Sequence, residues 1–136
     1  MKQFTIEEAE VALPAVEKLL KKAMRLRDRI AWLLETNDIV LEVSSDEGFH
    51  YFVTEQIQAN KQFHKLYYDF YKVIEELNAV GVIVKDIDDG LVEFPFKMSG
   101  EEAFLSWQIG EKKIRYWHSC ETEDRQLIVD VDELFQ

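Results

Sequence analysis

At Gly81 the hydrophobic pattern of this chain changes period, and that change constrains the fold more than any other feature. Before Gly81, apolar residues recur every three or four positions; after it they alternate. The first spacing lines up apolar side chains on one side of a helix, and the second puts them on one face of a strand. The 136 residues therefore read as a single α+β domain, with 1–81 mainly helical and 82–136 mainly β. The expected architecture is a long antiparallel helical hairpin followed by a small four-stranded antiparallel β-meander.

The helical half starts with a capping signal, Thr5 followed by Glu8, with Phe4 and Ala9 at the staple positions. Pro14 interrupts, because a proline inside a helix removes one backbone donor and crowds the preceding turn. Either a short helix precedes it or one helix kinks there. Val16, Leu19, Leu20, Ala23, Leu26, Ile30, Leu33 and Leu34 continue the stripe. "ETNDIVLEVSSDEG" reads as a loop with a short strand at "IVLEV". A second helical stripe runs from Phe49 to Val80, and Gly81 is its natural stop. This stripe is aromatic, and Tyr51, Tyr68 and Tyr71 widen it. Two helices packed together bury one stripe each. The extra width predicts a homo-oligomer, a dimer, assembled through the helices. His50 and His64 fall at its surface or flank.

In the β half, "VIVKDI", "LVEFPF", "AFLSWQI" and "IRYWHSC" read as strands, and "RQLIVDVDELFQ" as a last strand or a tail. "DDG", "KMSGE" and "GEKK" supply the turns. With "GEKK" as the third turn, Ile109 lies opposite Ile114, Trp107 opposite Tyr116 and Leu105 opposite His118. His118 is then partly buried beside Leu105 on the helix-facing side. Phe104, Ser106, Gln108, Arg115 and Trp117 point away.

Net charge is −11, which makes this an acidic protein, but it is uneven. Residues 1–35 carry seven bases against six acids, and the rest carries nine bases against 21 acids. An acidic body repels phosphate backbones and argues against nucleic acid. The basic stretch "KKAMRLRDR" fits an acidic protein partner, or else is solvated. No apolar run approaches the roughly 18 residues needed to cross a bilayer, so no membrane is expected. The opening "MKQFTIEEAE" lacks a secretory core, and the single cysteine, Cys120, suits a reducing cytoplasm.

"VKDIDDGLVEFP" followed by "LSWQIGEKKIRYWH" resembles an uncharacterised prokaryotic family, domain of unknown function 2203. "FTIEEAEVALPAVEKLL" is similar to that family's N-terminus. The matched positions are Asp86, Gly90, Glu93, Phe94, Pro95, Trp107, Gly110, Glu111, Trp117 and His118, with Arg125 as the downstream arginine. The chain departs from the pattern between His118 and Arg125, where a glycine-aromatic pair is missing. The resemblance implies that a polar and aromatic cluster at the β end is a family trait. It implies no reaction.

The candidate functional cluster is therefore Glu93, Trp107, Glu111, Trp117, His118 and Arg125. One reading is a small-ligand or metal site, hydrolase-like, with the tryptophans as walls and Arg125 holding an anion. A divalent metal is the cofactor it would take, with His118 and Glu111 as ligands and Cys120 two residues on. The other reading is a core histidine bonded to a backbone carbonyl or to Glu93. "DIDDG" fails as a calcium loop, because from Asp86 the glycine comes fifth and Lys97 twelfth. No G-x-S-x-G, H-E-x-x-H or phosphate loop is present, so no catalytic residue is assigned. The leading expectation is a cytoplasmic interaction or regulatory protein that self-associates.

Overall fold

The computed structural model describes residues 2–36, 57–122 and 124–128. Helix α1 spans Ile6–Thr36 and α2 spans Ile57–Val80. Five strands follow: β1 (Ile83–Asp86), β2 (Leu91–Met98), β3 (Glu101–Gln108), β4 (Tyr116–Ser119) and β5 (Gln126–Leu127). They form one antiparallel sheet in chain order. The class is α+β, with five strands where four were expected. The fifth is a two-residue pairing of Gln126 and Leu127 with Trp117 and Tyr116. It falls within "RQLIVDVDELFQ", the stretch read as a last strand or a tail, and among the described residues of that stretch only Gln126 and Leu127 pair.

The capping box forms as the sequence implies. The Thr5 N–H donates to Glu8 Oε1 at 2.9 Å, and the Glu8 N–H donates to Thr5 Oγ1 at 3.0 Å. These bonds satisfy two of the donors a helix start leaves open. Pro14 does not divide the helix: α1 runs through it unbroken, with Pro14 exposed. Ile6, Ala9, Leu13, Val16, Leu20, Ala23, Leu26, Ile30 and Leu33 are its buried stripe.

Helix α2 buries Leu66, Val73 and Leu77. It ends in a Schellman pattern, where the Gly81 N–H donates to Asn78 O (3.0 Å) and the Val82 N–H to Leu77 O (3.4 Å). Gly81 has φ +110°, and a Cβ there would lie 3.2 Å from the Phe4 ring. The start of α1 thus meets the end of α2. At the other end, Trp32 and Leu33 line one shallow pocket with Gln62 and Leu66. The helices lie side by side with opposite ends together. Their connection, the "IVLEV" strand, His50, Tyr51 and the expected helical start at Phe49 lie outside the described residues.

The sheet register differs from expectation by one residue. Leu105 pairs with Trp117 and Phe104 with His118. Ile109 and Ile114 are not partners. The Ile109 N–H donates to Gly90 O at 2.9 Å, and the Ile114 N–H donates to Glu10 Oε1 of α1 at 2.9 Å. With both amides committed elsewhere, the turn widens beyond "GEKK". A one-residue slip moves every side chain to the other face. Trp117 therefore joins the inner face, and His118 leaves it.

The inner face comprises Val92, Phe94, Phe96, Ala103, Leu105 and Trp107, all within the same core as the helical stripes. Phe4 meets Phe94 edge-on at 5.2 Å, and Phe96 meets Trp117 at 6.4 Å. Each such aromatic contributes about 1.5–3 kcal/mol by burial. The inner layer fixes the sheet against α1 and so sets where the outer face points.

Candidate functional site

Alternation along β2, β3 and β4 puts Glu93, Pro95, Phe104, Ser106, Tyr116 and His118 on the outer face. Glu93 stands opposite Ser106, which stands opposite Tyr116; Pro95, Phe104 and His118 form the next row. Glu93 and His118 are thus diagonal neighbours with β3 between them. Both are buried, each about 5% exposed. The Phe104 ring lies 5.3 Å from the imidazole.

His118 Nε2 is hydrogen-bonded to Glu93 Oε2, and Nδ1 lies 2.8 Å from Ser119 O. A carbonyl and a carboxylate are both acceptors, so the ring satisfies both only when each nitrogen carries a proton. Burial pushes the His118 pKa down. The hydrogen bond to Glu93, the Ser119 carbonyl, the Glu93 charge and the Thr122 backbone more than offset it. The net pKa lies above the ordinary 6.5. In this state neither ring nitrogen has a lone pair to offer a metal. Among the described residues, no group of three His, Cys, Asp or Glu side chains is placed to hold an ion. Cys120 is a free, exposed thiol.

Glu111 and Arg125 form a second pair on the same face. Arg125 Nη2 donates to Glu111 Oε1 at 2.8 Å, and Nε donates to Ser106 Oγ at 2.9 Å. The guanidinium also lies 4.2 Å over the Tyr116 ring. Glu111 Oε1 accepts the Gln108 N–H at 2.6 Å, and Glu111 O accepts the Trp107 indole N–H at 3.0 Å. Arg125 thereby staples the 108–111 turn to β3. Its Nε and Nη2 are both engaged by protein groups.

Four of the six candidate residues come together on the outer face: Glu93 with His118, and Glu111 with Arg125. Ser106, which no motif marked, sits between the pairs. Trp107 and Trp117 do not wall this site: Trp107 lies on the helix-facing side in either register, and the register slip turns Trp117 to the same side. Trp107 is fully buried there. "DIDDG" is turn chemistry: Asp86 Oδ1 accepts the N–H groups of Asp88 and Asp89 at 2.9 and 3.1 Å.

The chain matches the family model of an uncharacterized conserved protein, DUF2203, over residues 2–128. It belongs to that family. The match takes in the capped helix start, both helices, all five strands and both polar pairs of this DUF2203 protein. No curated protein and no solved structure matches the chain. The motif residues of the DUF2203 chain mostly have partners within the fold. Glu93 and His118 bond each other, Glu111 shapes a turn, and Trp107 fills the core.

Two features lay beyond sequence reasoning. Glu10 reaches Ile114 across 104 positions, a contact no local pattern announces. Lys112, Lys113 and Arg115 line one cleft with Glu111 and Tyr116. Their clustering in sequence was the available signal.

Proposed function

We propose that this chain is a cytoplasmic interaction protein that forms a homodimer through its long helices, its β end acting as a rigid cap. The supporting observation is an aromatic ladder along α2. Phe63 lies 5.4 Å from Tyr67, Tyr67 lies 4.7 Å from Tyr71, and Phe70 lies 6.1 Å from Tyr71. Tyr67 and Tyr71 stay 40% and 51% exposed, and their hydroxyls lie 3.2 Å apart. Tyrosine combines a large apolar area with a polar tip and low conformational entropy, which suits it to interfaces. Among the described residues, no helix is long and apolar enough to cross a membrane, so this apolar strip is not explained by such a span.

The occupant of this reading is a second copy, its ladder meeting the same ladder across a two-fold axis, where one patch serves both subunits. Sedimentation equilibrium of the wild type and of a Tyr67→Lys/Tyr71→Lys variant tests this. A dimer that becomes a monomer in the variant supports the reading. A wild-type monomer at high concentration, or an unaffected dimer, removes it.

An acidic protein partner is a second reading, carried by α1. Lys18, Lys22, Arg25 and Arg29 are exposed along one side of that helix, and among the described residues none has an ion-pair partner. Reversing Lys22, Arg25 and Arg29 to glutamate abolishes capture of an acidic partner if this reading holds. Unchanged capture ends it.

A further inference from the structure

The β3–β4 turn brings three cations together on an acid-rich chain. Lys112, Lys113 and Arg115 are exposed and, with Glu111 and Tyr116, line a cleft of about 640 Å³. Among the described residues no carboxylate pairs with any of the three side chains. The chain has 27 acidic residues, so acids to neutralise them are not scarce. Like charges held this close repel one another, and a bound anion relieves that repulsion.

The loop that carries them is fixed on both sides. Glu111 is held by the Gln108 N–H and by Arg125, and Ile114 by Glu10. The two acids that line these clefts each commit one oxygen elsewhere: Glu111 Oε1 to Arg125 and the Gln108 N–H, and Glu10 Oε1 to the Ile114 N–H. A fixed backbone lowers the ordering cost of binding.

A second cleft of about 350 Å³ adjoins the first and shares Lys113 and Arg115 with it. Its other walls are mostly apolar: Ile6, Ile114, Leu127 and Ile128 beside Glu10. Leu127 is 56% exposed, an apolar side chain left open beside two cations. Charge on one side and aliphatic wall on the other match an anion with an apolar body. Both volumes fall in the range of small-molecule sites.

We propose that the paired clefts bind a small phosphate monoester, its dianionic head at Lys112, Lys113 and Arg115 and its apolar body against Ile6, Ile114, Leu127 and Ile128. A phosphate monoester carries close to two negative charges near neutral pH and offers three acceptor oxygens. The site takes no residue from the aromatic ladder of α2, so it stands or falls separately from dimerisation through that ladder.

The test is calorimetric titration of the full chain with phenyl phosphate as probe, beside inorganic phosphate and phenol. The expected result is saturable binding of phenyl phosphate, about 10-fold tighter than inorganic phosphate, with phenol weaker still. Lys112→Ala/Lys113→Ala/Arg115→Ala should weaken phenyl phosphate binding by at least about 10-fold, with an unchanged thermal midpoint because all three side chains are exposed. Lys112→Arg/Lys113→Arg should retain binding. No saturable binding, equal affinity for inorganic phosphate, or unchanged affinity in the triple alanine variant would each overturn the proposal.

Discussion

Glu93 on β2 and His118 on β4 share a hydrogen bond across the intervening strand β3, on the face of the sheet opposite the helices. Both are about 5% exposed, so neither has bulk water to fall back on. Removing one member leaves the other buried and unpaired. Glu93→Ala should therefore cost about 3–5 kcal/mol in urea unfolding. A double variant, Glu93→Met with His118→Leu, should cost clearly less than either single change, since no unpaired polar group remains. Additive costs would show that the two residues act independently.

The same pair makes stability depend on pH in a defined direction. His118 has a pKa above 6.5 in the folded chain, so the folded state holds this proton more tightly than the unfolded one. Its contribution is full below about pH 6.5 and fades as pH rises through the folded-state pKa. The unfolding free energy of the wild type should fall over that window, and His118→Gln should flatten the fall. A wild-type stability that rises with pH over the same window would contradict the assignment.

Gly90 should tolerate no side chain. Its φ is +69°, and a Cβ would sit 2.6 Å from Ile109 Cγ2. Gly90→Ala combines backbone strain of about 1–3 kcal/mol with a clash in the β1–β2 turn, whose Gly90 carbonyl also accepts the Ile109 N–H. A thermal midpoint within a degree or so of wild type would show that the turn relaxes freely.

Arg125 should resist replacement by lysine. Its fork reaches Ser106 and Glu111 together while stacking on Tyr116. A lysine keeps the charge but not that geometry. Arg125→Lys should lose about 1–2 kcal/mol, close to the loss in Arg125→Ala. A lysine variant as stable as wild type would mean that charge alone matters.

Fold class, the capped helix start and the glycine stop were legible because each rests on neighbours within a few residues. Thr5 and Glu8 are three apart, and Gly81 closes its own helix. The β3–β4 register was not legible. The Ile114 amide goes to Glu10 on α1, and the Ile109 amide goes to Gly90. Pattern alone favoured the tighter turn that pairs the two isoleucines. That single difference exchanged the faces of His118 and Trp117, and with them the picture of a tryptophan-walled pocket. The sequence admits a partnership of Glu93 with His118, but Ser106 and the three-cation turn acquire meaning only once strands are paired.

His118 as a structural residue protonated on both nitrogens is tested most directly by its imidazole ¹⁵N chemical shifts in the folded protein. Near pH 6.5 and below both nitrogens should show protonated values, persisting to higher pH than in the unfolded chain. A shift typical of an unprotonated nitrogen on His118 at that pH would contradict the account and return His118 to the list of available ligands.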